Sequence, residues 1–243
     1  MSKRSPLIES TGEPVALSRA YLPELLKTMH EDGYAPQVTW NAVEALELLV
    51  EAGHFRAAKT LAESVCELVD GSPRSRLFRG YVALCSLMEG GMVLESVQAI
   101  EAVWVEIQHG GHSAGDRARA AMLVARGLFI GVSIGVLPEG DLLRARAALA
   151  AELERCSPKQ HRTLRAQVGL ELVKTMIYAS QPELLQGELL LDQLERELGS
   201  GPSVADLSFE MMRVRYHIER SGDRNEKASV SPEDLRRAGS ALG

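Results

Sequence analysis

The chain has 243 residues, of which 45% are hydrophobic, 25% charged and 5% aromatic, and its formal net charge is -6. These values exclude a collagen, a chain disordered throughout and a small disulfide scaffold, because they are ordinary for a globular protein. Leucine and alanine far outnumber isoleucine and threonine, which predicts an all-α fold. The pI of about 5.6 argues against direct binding of nucleic acid, since duplex-binding proteins present a basic face.

The N-terminal residues 1–12 predict a flexible tail and no export signal. They contain two basic residues, but acids and a glycine interrupt the sequence where a continuous apolar segment would be needed. We therefore expect a cytoplasmic protein.

Acidic charge is concentrated in the first half of the chain. Residues 1–111 carry 9 basic and 15 acidic side chains, whereas residues 112–243 carry 18 of each. The whole net charge thus belongs to residues 1–111, and this polarity is a feature to test for binding.

Two recurring boundary patterns divide the chain into helices. In the first pattern, small or polar residues end one helix and a proline follows where the next begins. It occurs at Pro73, Pro158 and Pro202. In the second pattern, a Pro-Glu pair opens a helix and places an acid at the positive end of the helix dipole. It occurs at Pro23, Pro138, Pro182 and Pro232.

Taken in chain order, these patterns predict alternating A and B helices, with turns at Gly53 and Gly90 where no Pro-Glu pair is present. The A helices are predicted at 14–22, 38–51, 73–89, 114–136, 158–180 and 203–220. The B helices are predicted at 23–32, 54–70, 91–108, 139–155, 182–198 and 232–241. The A helices begin about 35 to 45 residues apart, which predicts one array of five to six antiparallel hairpins over residues 13–243. A flexible loop is expected near 221–231.

The segment 49–65 resembles the tetratricopeptide repeat (TPR) family. Its matching positions are Leu49, Gly53-His54-Phe55, Ala58 and Ala62, and the spacing recurs more weakly at Gly91, Ser96 and Ile100. The later hairpins are longer than the family's usual repeat, so the resemblance is to a TPR-like array. It implies a right-handed helical solenoid whose concave groove, lined mainly by A helices, holds a partner protein or peptide.

The most apolar stretch, residues 120–138, allows two interpretations. Gly127, Gly131 and Gly135 are spaced four apart, as in membrane helices that dimerise through small residues. However, Arg126 lies inside the stretch and further arginines flank it on both sides. A buried central helix with close packing at its glycines is therefore favoured, and no membrane span is predicted.

The candidate binding residues are arginines near the starts or middles of the last three A helices. They are Arg117, Arg119, Arg162, Arg165, Arg213 and Arg215. If stacked A helices line one wall, these guanidiniums form a basic strip for an acidic peptide or a C-terminal carboxylate. The alternative is that they pair with acids on neighbouring turns or stay solvated. Those acids are Glu154, Glu171, Glu210 and Glu219.

The two tryptophans and the three cysteines are predicted to lie in the core. Trp40 and Trp104 stand among apolar neighbours at helical spacing, so core placement is favoured over exposed anchors for a partner. Cys66, Cys85 and Cys156 are far apart and odd in number, which predicts free buried thiols rather than a disulfide.

Patterns typical of catalysis or metal binding are missing from the sequence. His109 and His112 are close together, but they lie in a glycine-rich segment with one nearby carboxylate, Asp116, so a flexible loop is favoured over a metal site. The sequence has no paired aspartates for magnesium, no glycine-rich phosphate loop and no nucleophile elbow. We therefore predict no metal, no cofactor and no enzymatic activity.

The sequence favours a non-enzymatic adaptor that binds a protein or peptide through the groove or an end of a TPR-like array. An acidic peptide and a second copy of the chain are both open as partners. The alternative is an all-α sensor or regulatory domain that binds a small ligand and works with a DNA-binding partner. A third hypothesis, from another class, is an all-α enzyme.

Overall fold

A computed structural model describes residues 35–70, 72, 74–179, 182–199 and 205–225, together with Lys27 and Glu31. Over these residues the regular secondary structure is entirely helical, which confirms the all-α prediction. The helices are α1 Ala35–Glu51, α2 Phe55–Leu68, α3 Ser75–Met88, α4 Val93–His109, α5 Ala114–Ser133, α6 Asp141–Arg155, α7 Arg162–Ile177, α8 Leu184–Leu198 and α9 Ala205–Asn225. The predicted tail 1–12 and the predicted helices at 14–22, 23–32 and 232–241 lie outside the described residues, apart from Lys27 and Glu31.

The predicted helices between residues 35 and 225 are all present, and each begins within four residues of its predicted start. The largest difference is at the end of α9, which continues to Asn225. Residues 221–225, which the sequence assigned to the loop near 221–231, are therefore helical. Their polar composition gave no apolar period, but the last turn of a helix does not need to face a core.

The chain divides into two compact units, and the division falls between Ala148 and Leu149 inside α6. In the first unit, α1 to α5 pack in sequence order, and α3 also contacts α5 and α1. In the second unit, α7 packs against α8, α8 packs against α9, and α7 contacts α9. The single array over residues 13–243 stays a prediction.

Glycines in the left-handed region of backbone space follow three of the A helices. Gly53 after α1 has φ +75°, and Gly90 after α3 has φ +84°, in agreement with the predicted turns. Gly135 has φ +75° and lies beyond Ser133, the last residue of α5. The helix therefore ends at Ser133, three residues before the predicted end at residue 136, because Gly135 forms the turn after it.

Helix α5 is the largely buried helix that the apolar stretch predicted. A Cβ atom added at Gly127 would lie 3.0 Å from Cδ1 of Ile100, so this glycine lets α4 and α5 approach closely. Gly131 is also buried, but it faces Leu137 in the following turn rather than another helix. Among the described residues, no helix is both long enough and apolar enough to cross a membrane.

Candidate partner-binding surface

Three helices of the first unit, α1, α3 and α5, are joined by a network of polar side chains. Arg119 of α5 donates from Nε to Oε1 of Glu47 on α1 at 3.1 Å, and the hydroxyl of Tyr81 on α3 donates to the same oxygen at 3.2 Å. The side chains of Arg119 and Glu47 are only 11% and 16% exposed. Removing either charge would therefore leave the other poorly solvated. We call these three residues the Arg119 network.

Tyr81 supplies the neutral hydrogen bond of the Arg119 network. Burial raises the pKa of the Tyr81 hydroxyl well above its ordinary value, and the Glu47 carboxylate raises it further. The positive charges of Arg126 and Arg119 lower this pKa, but their effect is smaller. Tyr81 consequently remains protonated, and it can donate to Glu47 at any physiological pH.

Trp40 lies beside this network and is 46% exposed, so its predicted place in the core is wrong. The guanidinium carbon of Arg119 lies 5.3 Å from the centre of the Trp40 ring, within cation–π distance. The buried face of α1 includes Val38 and Ala42, each two residues from Trp40 and hence on the opposite side of the helix. Trp104 is 9% exposed, which confirms its predicted burial.

Trp40 begins a row of exposed side chains along α1. Glu44, Leu48 and Glu51 follow at steps of four, four and three residues, which places all four side chains on one face of the helix. Leu48 is 67% exposed. Helix α1 contains no lysine, arginine or histidine, so this row is purely apolar and acidic. We call these four residues the α1 stripe.

A second polar network holds α1 next to Trp40. Arg74 donates from Nη1 to the hydroxyl of Thr39 at 2.9 Å, and its Nε lies 3.4 Å from Oδ1 of Asp116. Asp116 is held in turn by Ser113, whose hydroxyl donates to Oδ2 at 2.7 Å and accepts from the Asp116 backbone N–H. Ser113 thereby caps the start of α5, and Arg74 connects that start to Thr39, the residue before Trp40.

Two of the predicted binding residues, Arg117 and Arg119, belong to the first unit. Arg117 donates from Nη1 to the backbone carbonyl of His112 at 2.6 Å. Arg119 belongs to the network with Glu47 and supports Trp40. The structure thus places Arg119 at the exposed tryptophan, while Arg117 secures the segment before α5.

Arg162 and Arg165 lie in the first turn of α7, in the second unit. Arg165 is largely buried and donates from Nε to Oε2 of Glu197 at 2.6 Å. It also donates to the backbone carbonyls of Leu153 and Cys156. The hydrogen bond from Arg165 lowers the pKa of the Glu197 carboxyl below its ordinary value. Arg162, by contrast, is exposed.

Arg213 and Arg215 of α9 contact different acids. Nη1 of Arg213 lies 3.1 Å from Oε2 of Glu210 on the same helix, one of the acids predicted as pairing partners. Arg215 donates from Nη2 to Asp192 at 2.6 Å and to Glu195 at 3.1 Å, both on α8. The contacts of Arg215 join α9 to α8, whereas that of Arg213 lies within α9. Binding of a partner by these two arginines stays a prediction.

His112 is buried, although the sequence predicted a flexible loop at this position. Its Nε2 lies 3.4 Å from Nη1 of Arg76, and the neighbouring Gly111 adopts φ +65° to allow the turn. Burial of the ring was not predictable from the glycines around it, because it depends on packing against α3. Among the described residues, no group of three His, Cys, Asp or Glu side chains is placed to hold a metal ion.

A cavity of about 260 Å³ lies beside the turn between α2 and α3. It is lined by Cys66, Asp70, Ser72, Ser75, Arg76 and Arg79. Both arginines of the lining pair with the single carboxylate of Glu106, and Asp70 contributes a further negative charge to the lining. This polar lining does not resemble the apolar pocket that the small-ligand hypothesis requires.

Comparison of the chain with family models, with curated proteins and with solved structures finds no match. The interpretation of the α1 stripe therefore rests on the chemistry of this chain alone.

Sequence reasoning missed Glu47 and Tyr81, which connect Arg119 to the rest of the unit. One signal was available, because Trp40 and Glu47 are seven residues apart and therefore share a face of α1. Arg119 and Arg126 have the same spacing on α5. What the spacing could not reveal is that these two faces meet, since that depends on how α1, α3 and α5 pack together.

Proposed function

We propose that this chain is a non-enzymatic protein-interaction module that binds a protein or peptide partner on the α1 stripe. Trp40 is the anchor of this surface, and the Arg119 network is its support. In this proposal, α1, α3 and α5 are the A helices of a TPR-like, right-handed array, and their shared face is the one used for binding.

The order of helix packing supports the array. Each described helix from α1 to α5 packs against the next, and the alternate helices α1, α3 and α5 are also in contact. A stack of helical hairpins requires this combination, because each hairpin must bury its apolar face against its neighbours.

The observation that carries the proposal is the half-exposed ring of Trp40, held by Arg119. Tryptophan is enriched at the centres of protein interfaces, because one ring buries a large area at a small cost in conformational entropy. The cation–π contact and the ion pair of Arg119 with Glu47 order the ring before any partner arrives. Pre-ordering of this kind reduces the entropic cost of binding.

Selection from an unbiased peptide library tests the proposal. Phage that display random peptides of about 16 residues, long enough for a short helix or an extended segment, are selected on the full-length chain. The enriched peptides are then synthesised, and their affinities for the wild type and for W40A are measured by fluorescence anisotropy. W104F, at the buried tryptophan, is the control for a general effect of losing an indole.

The proposal expects enriched peptides whose affinity falls at least tenfold, about 1.4 kcal/mol, in W40A and changes little in W104F. Circular dichroism of both variants verifies that the helices are retained. A failure to enrich any sequence, or peptides that bind W40A as tightly as the wild type, would overturn the proposed function.

A further inference from the structure

The α1 stripe has a chemical character that selects one class of partner. We propose that the stripe binds a basic amphipathic helix, a segment with apolar residues on one face and lysine or arginine beside them. The inference rests on the proposed function, and it specifies the partner that this surface fits.

The spacing of the stripe fits a helix. Trp40 and Leu48 provide two exposed apolar contacts, and Glu44 lies between them. From Trp40 to Glu51 the stripe covers about three helical turns, or roughly 16 Å along the axis. A partner helix with apolar residues at i, i+4, i+7 and i+11 presents a row of similar length.

The charge of the stripe selects the sign of the partner. Glu44 and Glu51 flank the exposed Leu48, and α1 contains no basic residue. Cationic side chains beside the apolar row of a partner would therefore face carboxylates, whereas acidic side chains would be repelled.

An acidic peptide, the other partner considered from the sequence, fits this surface less well. The guanidinium of Arg119 contacts the Trp40 ring, but it is largely buried and paired with Glu47. A ligand carboxylate would have to compete with Glu47 for Arg119 while lying close to Glu44. The exposed charges of the stripe are carboxylates, so charge complementarity favours a basic helix.

Two synthetic probes test this inference on the full-length chain. The first is a fluorescein-labelled helical peptide of about 18 residues, with leucine at i, i+4, i+7 and i+11 and with lysine or arginine on both sides of that row. The second is the same peptide with every basic residue replaced by glutamate. Anisotropy is recorded near physiological ionic strength, where the Debye length is about 8 Å and long-range attraction is screened.

Matched variants distinguish binding at the α1 stripe from non-specific attraction between the basic probe and the acidic chain. E44K reverses one charge on the stripe, and E95K makes the same change at an exposed position of α4 in the same unit. L48A removes an exposed leucine from the stripe, and L94A removes an exposed leucine from α4. Circular dichroism establishes that all four variants keep the helical content of the wild type.

The inference expects the basic probe to bind and the acidic probe not to bind. It also expects E44K and L48A to weaken binding of the basic probe at least fivefold, with E95K and L94A within about twofold of the wild type. Equal binding of both probes, no binding of the basic probe, or equal effects of E44K and E95K would overturn it. If the library instead yields acidic peptides that require Trp40, the proposed function stands and the basic-helix inference fails.

Discussion

The guanidinium carbon of Arg119 lies 5.3 Å from the centre of the Trp40 ring, although the two residues are 79 positions apart in the chain. Arg119 therefore has two roles in the first unit. Its ion pair with Glu47 joins α5 to α1, and its charge holds an exposed aromatic ring in place. The packing of α5 on α1 and the position of the proposed anchor Trp40 thus depend on the same side chain.

Replacement of Arg119 by alanine should destabilise the protein by about 2 kcal/mol, because Glu47 would keep its charge in a poorly solvated position. The midpoint of urea unfolding, followed by circular dichroism, measures this change. R56A is the control, since Arg56 is almost fully exposed and pairs with Glu89 at 3.5 Å. Surface pairs of that kind contribute only about 0.5 kcal/mol. Equal losses for R119A and R56A would contradict the buried role of Arg119.

The double variant R119A/E47Q, compared with the two single variants, measures the interaction between Arg119 and Glu47. Neutralising Glu47 removes the unpaired charge, so the double variant should recover part of the stability lost in R119A. If E47Q adds its full destabilisation to that of R119A, then the two side chains do not interact as the geometry indicates.

The helices were predictable from the sequence, because prolines, glycines and apolar spacing act locally. Gly53 ended α1 as predicted, and Gly127 marked a close helix contact. The surface was not predictable to the same degree. Burial of Trp40 depends on which side of α1 faces the core, and the pairing of Arg119 with Glu47 joins residues 72 apart. Local periodicity contains no information on contacts of that range.

Gly127 should tolerate no large side chain. A Cβ atom there would already lie 3.0 Å from Ile100, so G127L forces additional carbon atoms into the contact between α4 and α5. We expect a loss of about 2 to 3 kcal/mol in the free energy of unfolding. G140L is the matched control, because a Cβ atom at Gly140 has no neighbouring atom within 4 Å. A G127L protein as stable as G140L would show that the two helices pack loosely.

Acid should weaken the second unit through Glu197. The hydrogen bond from Arg165 lowers the pKa of Glu197 in the folded protein below its ordinary value of 4.5. The carboxylate therefore stabilises the fold above pH 4.5, and this contribution is lost as the pH falls from 4.5 through the lowered pKa. E197Q removes the titrating group. The difference in free energy of unfolding between wild type and E197Q should accordingly be larger at neutral pH than at a pH below 4.5. Urea unfolding of both proteins at the two pH values measures this difference. A difference independent of pH would contradict the contribution of this ion pair.

The three cysteines should differ in reactivity toward a thiol reagent such as Ellman's reagent. None of the three forms a disulfide, and Cys85 and Cys156 are buried while Cys66 is half-buried. Burial raises the pKa of Cys85 to about 12 and also raises that of Cys66. Because the thiolate is the reactive form, the native protein at about pH 8 should show only slow modification, confined to Cys66. Unfolding in urea should release all three thiols, and C66S should abolish the slow native phase. Rapid modification of C66S in the native state would show that the core around Cys85 or Cys156 opens readily.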